Sequence, residues 1–280
     1  MKLLKACLHV SLLIFLIILM GSCSSKKELT GKEYKILFLH HSTGAVIYKG
    51  AASSSIFSEH YDVADWFEKL NKSKDSTYEV TEQAFPKDKP YGWNNYPYDY
   101  YNIWVKHAGP KPYMEEPTLE MLTKDYKLII FKHCFPASDI AEDLNKPNID
   151  SDEKRAENYK LQYQALKQKM LEFPKTKFIV WTGAALLESE TTPGNAERAR
   201  EFFNWVRTEW DTPNDNIYIW DFDQLETGGG LYLKKENAGN TGDSHPGKDF
   251  AKRVVPLFCQ RIVDVIENNG TKTTLTGELK

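Results

Sequence analysis

Five short apolar runs punctuate the chain, and between them apolar positions recur every three or four residues. Tyr34 to His40 (YKILFLH) is nearly continuous and bounded by turn residues, which predicts a buried strand. Lys127 to Phe131 (KLIIF), Lys177 to Trp181 (KFIVW) and Ile217 to Trp220 (IYIW) read the same way, and Tyr78 to Thr81 is a weaker member of the set. The spacing predicts helices over Glu153 to Phe173, Asn195 to Trp210 and Pro246 to Asn268. Pro246 suits the first turn of the last helix, where a missing N–H costs nothing. Thr271 to Lys280 is polar and is expected to fray. Apolar strands alternating with helices argue for an α/β domain whose mostly parallel sheet is covered on both faces. Phe85 to Pro117 has no clean period and is long for a connection, a length usually tied to function.

The first 25 residues follow another pattern. Lys2 and Lys5 precede an apolar run from Val10 to Met20, and small residues then lead to Cys23. This is the layout of a secretory leader, and Met20-Gly21-Ser22-Cys23 resembles a bacterial lipobox. The resemblance implies a signal peptide over residues 1–22, lipidation at Cys23, a tether over 23–32 and a single domain over 33–270. The mature chain would be anchored to a bacterial membrane and folded outside the cytoplasm, facing the periplasm or the cell surface. An uncleaved anchor helix is the competing reading, but the run is short for a span of about 20 apolar residues. The net charge of −3 gives no basic footprint, so nucleic acid is not an expected partner. Beyond the leader only Cys134 and Cys259 remain, as a disulfide or as buried free thiols, with no metal-type spacing. Gly228 to Gly230 lack the context of a nucleotide fingerprint and read as a loop.

In an open parallel sheet, ligands bind beyond the carboxyl ends of the strands. The residues to read are therefore His40-His41-Ser42-Thr43-Gly44 after the first strand and Lys132 to Ser138 after the third. Asp221-Phe222-Asp223 follows the fifth strand, and Asp243-Ser244-His245-Pro246 introduces the last helix. A serine on a strand-to-helix turn and a distant Asp-x-His suggest nucleophile, base and orienting carboxylate. A serine hydroxyl needs a base to remove its proton, and imidazole is the usual one at neutral pH.

This layout resembles the SGNH (GDSL-type) hydrolase superfamily, as a divergent branch. The resemblance implies a flavodoxin-like three-layer sandwich of about five strands and ester hydrolysis on lipids or acylated carbohydrates. Only Ser42 carries over from the Gly-Asp-Ser block, which stands here as His40-His41-Ser42. The family places aspartate three residues before histidine. Here that slot is Gly242, and Asp243 stands two before His245, with Asp221 or Asp223 in reserve as third triad member. The family's glycine and Gly-x-Asn-Asp blocks have no clear match. Gly92 and Asn94, and Lys132, His133 and Ser138 after the third strand, are the candidates for oxyanion donors or substrate-lining groups, with His41 beside the nucleophile.

Each assignment has a plainer competitor. Ser42 would cap a helix, Asp243 would cap the last helix, His245 would be a surface turn residue, and Lys132 and His133 would be solvated. Tyr91 to Trp104 holds two tryptophans, five tyrosines and three asparagines, as a sugar-facing surface or as a satellite core plugging a long loop. The expected function is a serine esterase removing acyl groups, acetyl among them, from a carbohydrate without a cofactor. The alternatives are a non-catalytic glycan-binding lipoprotein, an acyltransferase, and a metal site built from His40, His41, His133 and Asp243.

Overall fold

The computed structural model describes residues 31–50, 62–92 and 94–280, so the leader and Cys23 lie outside the described residues. Strand β1 (Glu33–His40) leads through a two-residue turn into helix α1 (Thr43–Lys49). Helix α2 (Val63–Ser73) follows, started by Asp62, whose carboxylate accepts from the Asp65 N–H at 2.7 Å. Strand β2 (Thr77–Ala84) pairs with β1 along its whole length. Helix α3 (Pro97–Tyr101) runs into a π-turn at Asn102–Lys106. Helix α4 (Leu119–Asp125), β3 (Leu128–Phe131), α5 (Ala156–Leu171) and β4 (Lys177–Trp181) come next. Then follow α6 (Pro193–Trp205) with a π-turn at Val206–Trp210, β5 (Ile217–Trp220) and α7 (Phe222–Thr227). A hairpin of β6 (Ala238–Asn240) and β7 (Asp243–Pro246) precedes α8 (Lys248–Asn268).

Strands β1 to β5 form one parallel sheet in the order β2-β1-β3-β4-β5, the flavodoxin-like arrangement. The alternation of side chains explains the continuous apolar runs. Leu37 and Leu39 enter one core with Phe131, Val180 and the helices α3, α5 and α6, while Ile36 and Phe38 enter the opposite core with Trp181, Trp220 and α8. Helices on both faces make three layers, and Lys32–Lys280 forms one compact unit. No described helix is long and apolar enough to cross a membrane.

The sequence reading needs three corrections at this level. The last helix starts at Lys248, with Gly247 as its N-cap, because Pro246 belongs to β7 and Asp243-Ser244-His245-Pro246 is extended. Residues 271–280 do not fray. Thr273 is buried, the Asp221 N–H donates to Leu275 O at 2.8 Å and the Trp220 Nε1–H donates to Thr276 O at 3.0 Å, so the tail is pinned beside the end of β5. The stretch from Phe85 to Pro117 is not a plain loop. It contains α3, whose period is hidden because every residue from Asp99 to Trp104 is buried, polar ones included, and the π-turn shifts the phase. Cys134 and Cys259 are both buried free thiols, and Gly228 ends α7 in the left-handed conformation.

Candidate active site

The turn after β1 holds Ser42 in a strained conformation, with φ 47° and ψ −105°. A serine rarely sits at positive φ, and such strain persists only where the surroundings enforce it. Here the enforcement is local. The Gly44 N–H donates to His41 O at 2.9 Å and the Val46 N–H to Ser42 O at 3.1 Å, closing the turn onto α1. A Cβ on Gly44 would stand 2.4 Å from His40 Cβ, so only glycine allows the turn to close over that side chain. His40 is itself fixed, since its Nε2–H donates to the Glu82 carboxylate on β2 at 2.8 Å. Burial holds the His40 pKa below its ordinary value despite that carboxylate. Ser42 makes no side-chain cap bond to α1, so the capping role leaves its hydroxyl unaccounted for.

The hydroxyl meets His245. Ser42 Oγ hydrogen-bonds His245 Nε2, joining residues 203 positions apart. His245 Nδ1 lies 2.5 Å from Asp243 Oδ1, and the His245 backbone N–H donates to the same oxygen at 3.0 Å. With Nδ1 protonated and donating to the carboxylate, Nε2 is free to accept from the serine hydroxyl. The unusual spacing has a geometric cause. On an extended strand residues i and i+2 share a face, so Asp243 and His245 project together from β7. Ser244 faces the other way, buried, and its Oγ accepts from the Leu187 N–H at 2.9 Å. The backbone and ring N–H groups of His245 hold the Asp243 carboxyl below its ordinary pKa. About two-fifths of the Asp243 side chain and over a third of the His245 side chain remain exposed. The ring of Phe135 stands edge-on to the imidazole, with centroids 5.2 Å apart.

The other expected residues are placed differently. His41 is half-buried beside Ser42, and its Nε2–H donates to Pro86 O at 2.5 Å, linking the serine turn to the segment after β2. Gly92 adopts positive φ (79°) on an exposed turn. The Asn94 N–H donates to Asp99 Oδ2 at 3.1 Å, so that donor is already engaged. Asp99 also accepts from the Asn95 N–H and from the Tyr91 hydroxyl, which braces the aromatic segment. Burial nevertheless raises the Asp99 pKa to about 6. Tyr96, Tyr100 and Trp104 are core residues, so that part of the segment plugs the fold instead of facing a ligand.

Lys132 and His133 are buried, not solvated as the plainer reading expects, and Ser138 is buried with them. His133 follows Phe131 on the same face of β3 and packs among the rings of Tyr100, Phe131 and Tyr163. Its pKa falls to about 3, from burial first and the Lys132 charge second. Lys132 Nζ meets no protein acceptor within hydrogen-bond range. Burial lowers the lysine's pKa, and the nearby Cys134 and then Glu226 offset it only in part. Glu226 is fully buried under the loop after β4, accepting from the Ala185 N–H at 2.6 Å. Asp221 and Asp223, the reserve triad members, are engaged elsewhere. Arg207 Nη1 reaches them at 2.8 and 3.2 Å, and Thr182 Oγ1 donates to Asp221 at 2.6 Å. The histidines of the metal reading have separate surroundings, and among the described residues no group of three His, Cys, Asp or Glu could hold a metal ion.

Three contributors escaped the sequence reading. Gly44 and Phe135 carry no distinguishing local signal. The third is the strand β7, whose Asp243-Ser244-His245-Pro246 run has no apolar alternation to announce it.

No family model matches the chain, and no curated protein does. Solved structures show similarity at low identity. A family two carbohydrate esterase from Cellvibrio japonicus is 14% identical, with 85% of this chain and 64% of that chain covered and a TM-score of 0.41. A mutant acetyl-xylooligosaccharide esterase from Geobacillus Stearmophilus is 13% identical, with 80% and 92% covered and a TM-score of 0.44. A family two carbohydrate esterase from Clostridium thermocellum in complex with cellohexaose is 14% identical, with 86% and 65% covered and a TM-score of 0.39. The chain thus spans less than two thirds of the length of the first of these.

Proposed function

We propose that the chain is a serine esterase of the SGNH type that removes acyl groups, acetyl foremost, from carbohydrate. The observation that carries the reading is the hydrogen-bonded line from Ser42 through His245 to Asp243 at the carboxyl end of a parallel sheet. The strain at Ser42 supports it, because a serine forced to positive φ on a strand-to-helix turn is presented outward, as a nucleophile must be.

In this mechanism His245 Nε2 takes the Ser42 proton as Oγ attacks the ester carbonyl. Asp243 fixes the tautomer and stabilises the imidazolium. The tetrahedral oxyanion is held by the Ser42 backbone N–H, with Gly92 as the candidate second donor. Each such donor contributes about 10²–10³ in rate. The C–O bond to the alcohol then breaks, and His245 gives the proton to the departing oxygen. Water, deprotonated by the same histidine, attacks the acyl-Ser42 carbonyl; the bond from the acyl carbon to Oγ breaks, His245 returns the proton to Oγ, and the carboxylic acid leaves. Each step needs only groups of this chain and water. Lipidation at Cys23 and an extracytoplasmic address belong to the same proposal, supported by the composition of the leader.

The test is a fluorophosphonate probe together with a chromogenic acetyl ester. The wild-type chain should label at Ser42 and hydrolyse the ester. Ser42→Ala should abolish labelling and reduce turnover by at least about 10³-fold, since nucleophile and base act as a unit. A folded wild type that neither labels nor turns over the ester would favour the non-catalytic glycan-binding reading. Unchanged turnover in Ser42→Ala would remove the nucleophile assignment.

A further inference from the structure

The amino ends of the strands form the edge of the sheet opposite Ser42, and lysines gather there. A cavity of about 360 Å³ is lined by Lys32, Lys127, Lys175 and Lys177. Glu33 is the one acid in that lining, so its side chains carry a clear surplus of positive charge. Tyr34 and Ile266 supply apolar surface between the charges. The register of the sheet builds this cluster. The Lys127 N–H donates to Lys35 O at 2.8 Å and the Lys177 N–H to Lys127 O at 2.9 Å, which sets the starts of β1, β3 and β4 side by side. Lys32 precedes β1, Lys127 precedes β3 and Lys177 opens β4, and parallel strands bring such residues to one edge.

One of the four lysines serves the fold. The Lys177 ammonium donates to Val265 O at 2.5 Å, Ile266 O at 3.1 Å and Asn269 Oδ1 at 2.7 Å, closing the carboxyl end of α8. The other three, Lys32, Lys127 and Lys175, are exposed and make no side-chain hydrogen bond or ion pair among the described residues. Glu267, next to Ile266 on α8, does not neutralise them. It is held by Lys74 at 2.5 Å and by the Tyr78 hydroxyl.

We propose that this end of the sheet docks on the anionic headgroups of a lipid surface. Three observations favour a surface over a single free anion. The free ammonium groups are exposed and the Lys127 and Lys177 N–H groups are spent in the sheet, so the cavity presents charges without a backbone cradle for one phosphate. A surface of many headgroups engages all three lysines at once, at about fivefold in binding for each. Tyr34, half-buried and stacked on Tyr78 with centroids 5.3 Å apart, places an aromatic ring at the same rim, and tyrosine suits the headgroup level of a bilayer. The chain also enters the domain here. Nine residues lead from Cys23 to Lys32, a reach of about 30 Å at most, so a lipid on Cys23 would keep this end near the bilayer. The choice of lipid rests on that anchoring reading and is independent of the esterase reading.

Docking has a consequence for the triad. Strand β1 runs from this end to the serine turn, about 23 Å at the usual rise of a strand. A domain seated on its lysines therefore turns Ser42 and His245 away from the lipid and toward polymers in the water beyond.

The experiment uses residues 24–280, which lack the leader and Cys23 and hold the whole compact unit Lys32–Lys280. Vesicles of phosphatidylcholine with about 30% phosphatidylglycerol should sediment the protein at about 0.05 M salt, and vesicles of phosphatidylcholine alone should not. Raising the salt to about 0.5 M should weaken binding at least about tenfold. K32Q/K127Q/K175Q should weaken it at least about tenfold with an unchanged melting temperature. K87Q/K89Q/K248Q, which removes the same charge from exposed lysines beyond the carboxyl ends of the strands, should weaken it less than about threefold. Equal binding to both vesicles, or equal losses in the two variants, would overturn the proposal. Release by about 10 mM inorganic phosphate, but not by sodium chloride of equal ionic strength, would make the cavity a free-anion site and overturn the choice of lipid. The comparison of vesicles and salt on the wild type holds even where a variant fails to fold. Mass spectrometry of Cys23 in the full chain, expressed in a bacterium, tests the anchor separately. An unmodified Cys23 with lysine-dependent binding removes the anchor and keeps the docking face, and a lipidated Cys23 without lysine-dependent binding does the reverse.

Discussion

Two groups of polar side chains occupy the carboxyl end of the sheet, and they are built in opposite ways. Ser42, His245 and Asp243 are bonded to one another and partly open to solvent, with two of them on a hairpin outside the main sheet. Lys132, His133 and Glu226 are enclosed, and Lys132 Nζ, both His133 ring nitrogens and one Glu226 oxygen meet no protein partner. The pKa directions follow. Hydrogen bonds hold the exposed Asp243 carboxyl down, whereas burial pushes Glu226 up and Lys132 and His133 down, each toward its neutral form. The difference separates groups placed to exchange protons with a ligand from groups that set the shape beneath it.

The largest effect that would break this contrast is on turnover. His245→Ala should lower kcat by about 10⁴-fold or more, while Lys132→Met should lower it less than tenfold. The same Lys132→Met chain should melt at an unchanged or higher temperature, because replacing a buried amine that meets no hydrogen-bond partner by an apolar chain of similar length is neutral or stabilising. Kinetics and a melting curve on both variants check the pair. A loss in Lys132→Met that matched His245→Ala would place the lysine in the chemistry.

Next in size is the loss from cutting the buried layer itself. Glu226→Ala removes the acceptor of the Ala185 N–H and leaves a void, so urea unfolding should show a loss of about 2–4 kcal/mol. Glu226→Gln keeps the acceptor and should lose less than half of that.

Asp99 sharpens the comparison, because it is buried like Glu226 yet fully hydrogen-bonded like Asp243. Burial prevails and its pKa rises to about 6. A carboxyl whose folded pKa lies above its unfolded value favours the fold at low pH. That contribution is complete below about pH 4 and is lost as pH rises through about 6. Wild type should therefore lose up to about 3 kcal/mol relative to Asp99→Asn between pH 4 and 7, measured by urea unfolding at both values. An equal pH slope in the two chains would show that its bonds to Tyr91, Asn94 and Asn95 offset its burial.

The smallest effect concerns strain. Ser42→Gly should be inactive yet raise stability by about 1 kcal/mol, since glycine adopts the positive φ without penalty. Unchanged or lower stability would mean that the turn is relaxed around serine.

The sheet was legible because each strand is buried on both faces, so no polar residue interrupts KILFL, LIIF or FIVW. The carboxyl ends of the strands then pointed to Ser42 and the Asp-x-His stretch, which the structure brings together. What the sequence reading misplaced were polar residues whose surroundings are made by distant segments. Lys132 and His133 read as loop residues because their burial depends on α3, α5 and α7. Asp221 and Asp223 read as reserve carboxylates because nothing near them in the chain announces Arg207. The hairpin was hidden by its composition, since β6 (Ala-Gly-Asn) and β7 (Asp-Ser-His-Pro) hold no apolar run, whereas β3 and β5, no longer than β7, are apolar throughout. The polar tail read as loose because its anchors, Trp220, Asp221, Arg261 and Asp264, lie on β5, just after it and on α8.

That tail has a practical consequence for anyone producing the protein. Gly277 packs so closely on Leu257 that a Cβ would stand 2.1 Å from its carbonyl oxygen, and the Lys280 N–H donates to Lys272 O at 3.0 Å. An affinity tag joined directly to Lys280 would start from an anchored residue, so it needs a flexible spacer to reach a resin. A clone shortened to residue 270 would strip the acceptors from the Trp220 indole and the Asp221 N–H and leave both donors to find water.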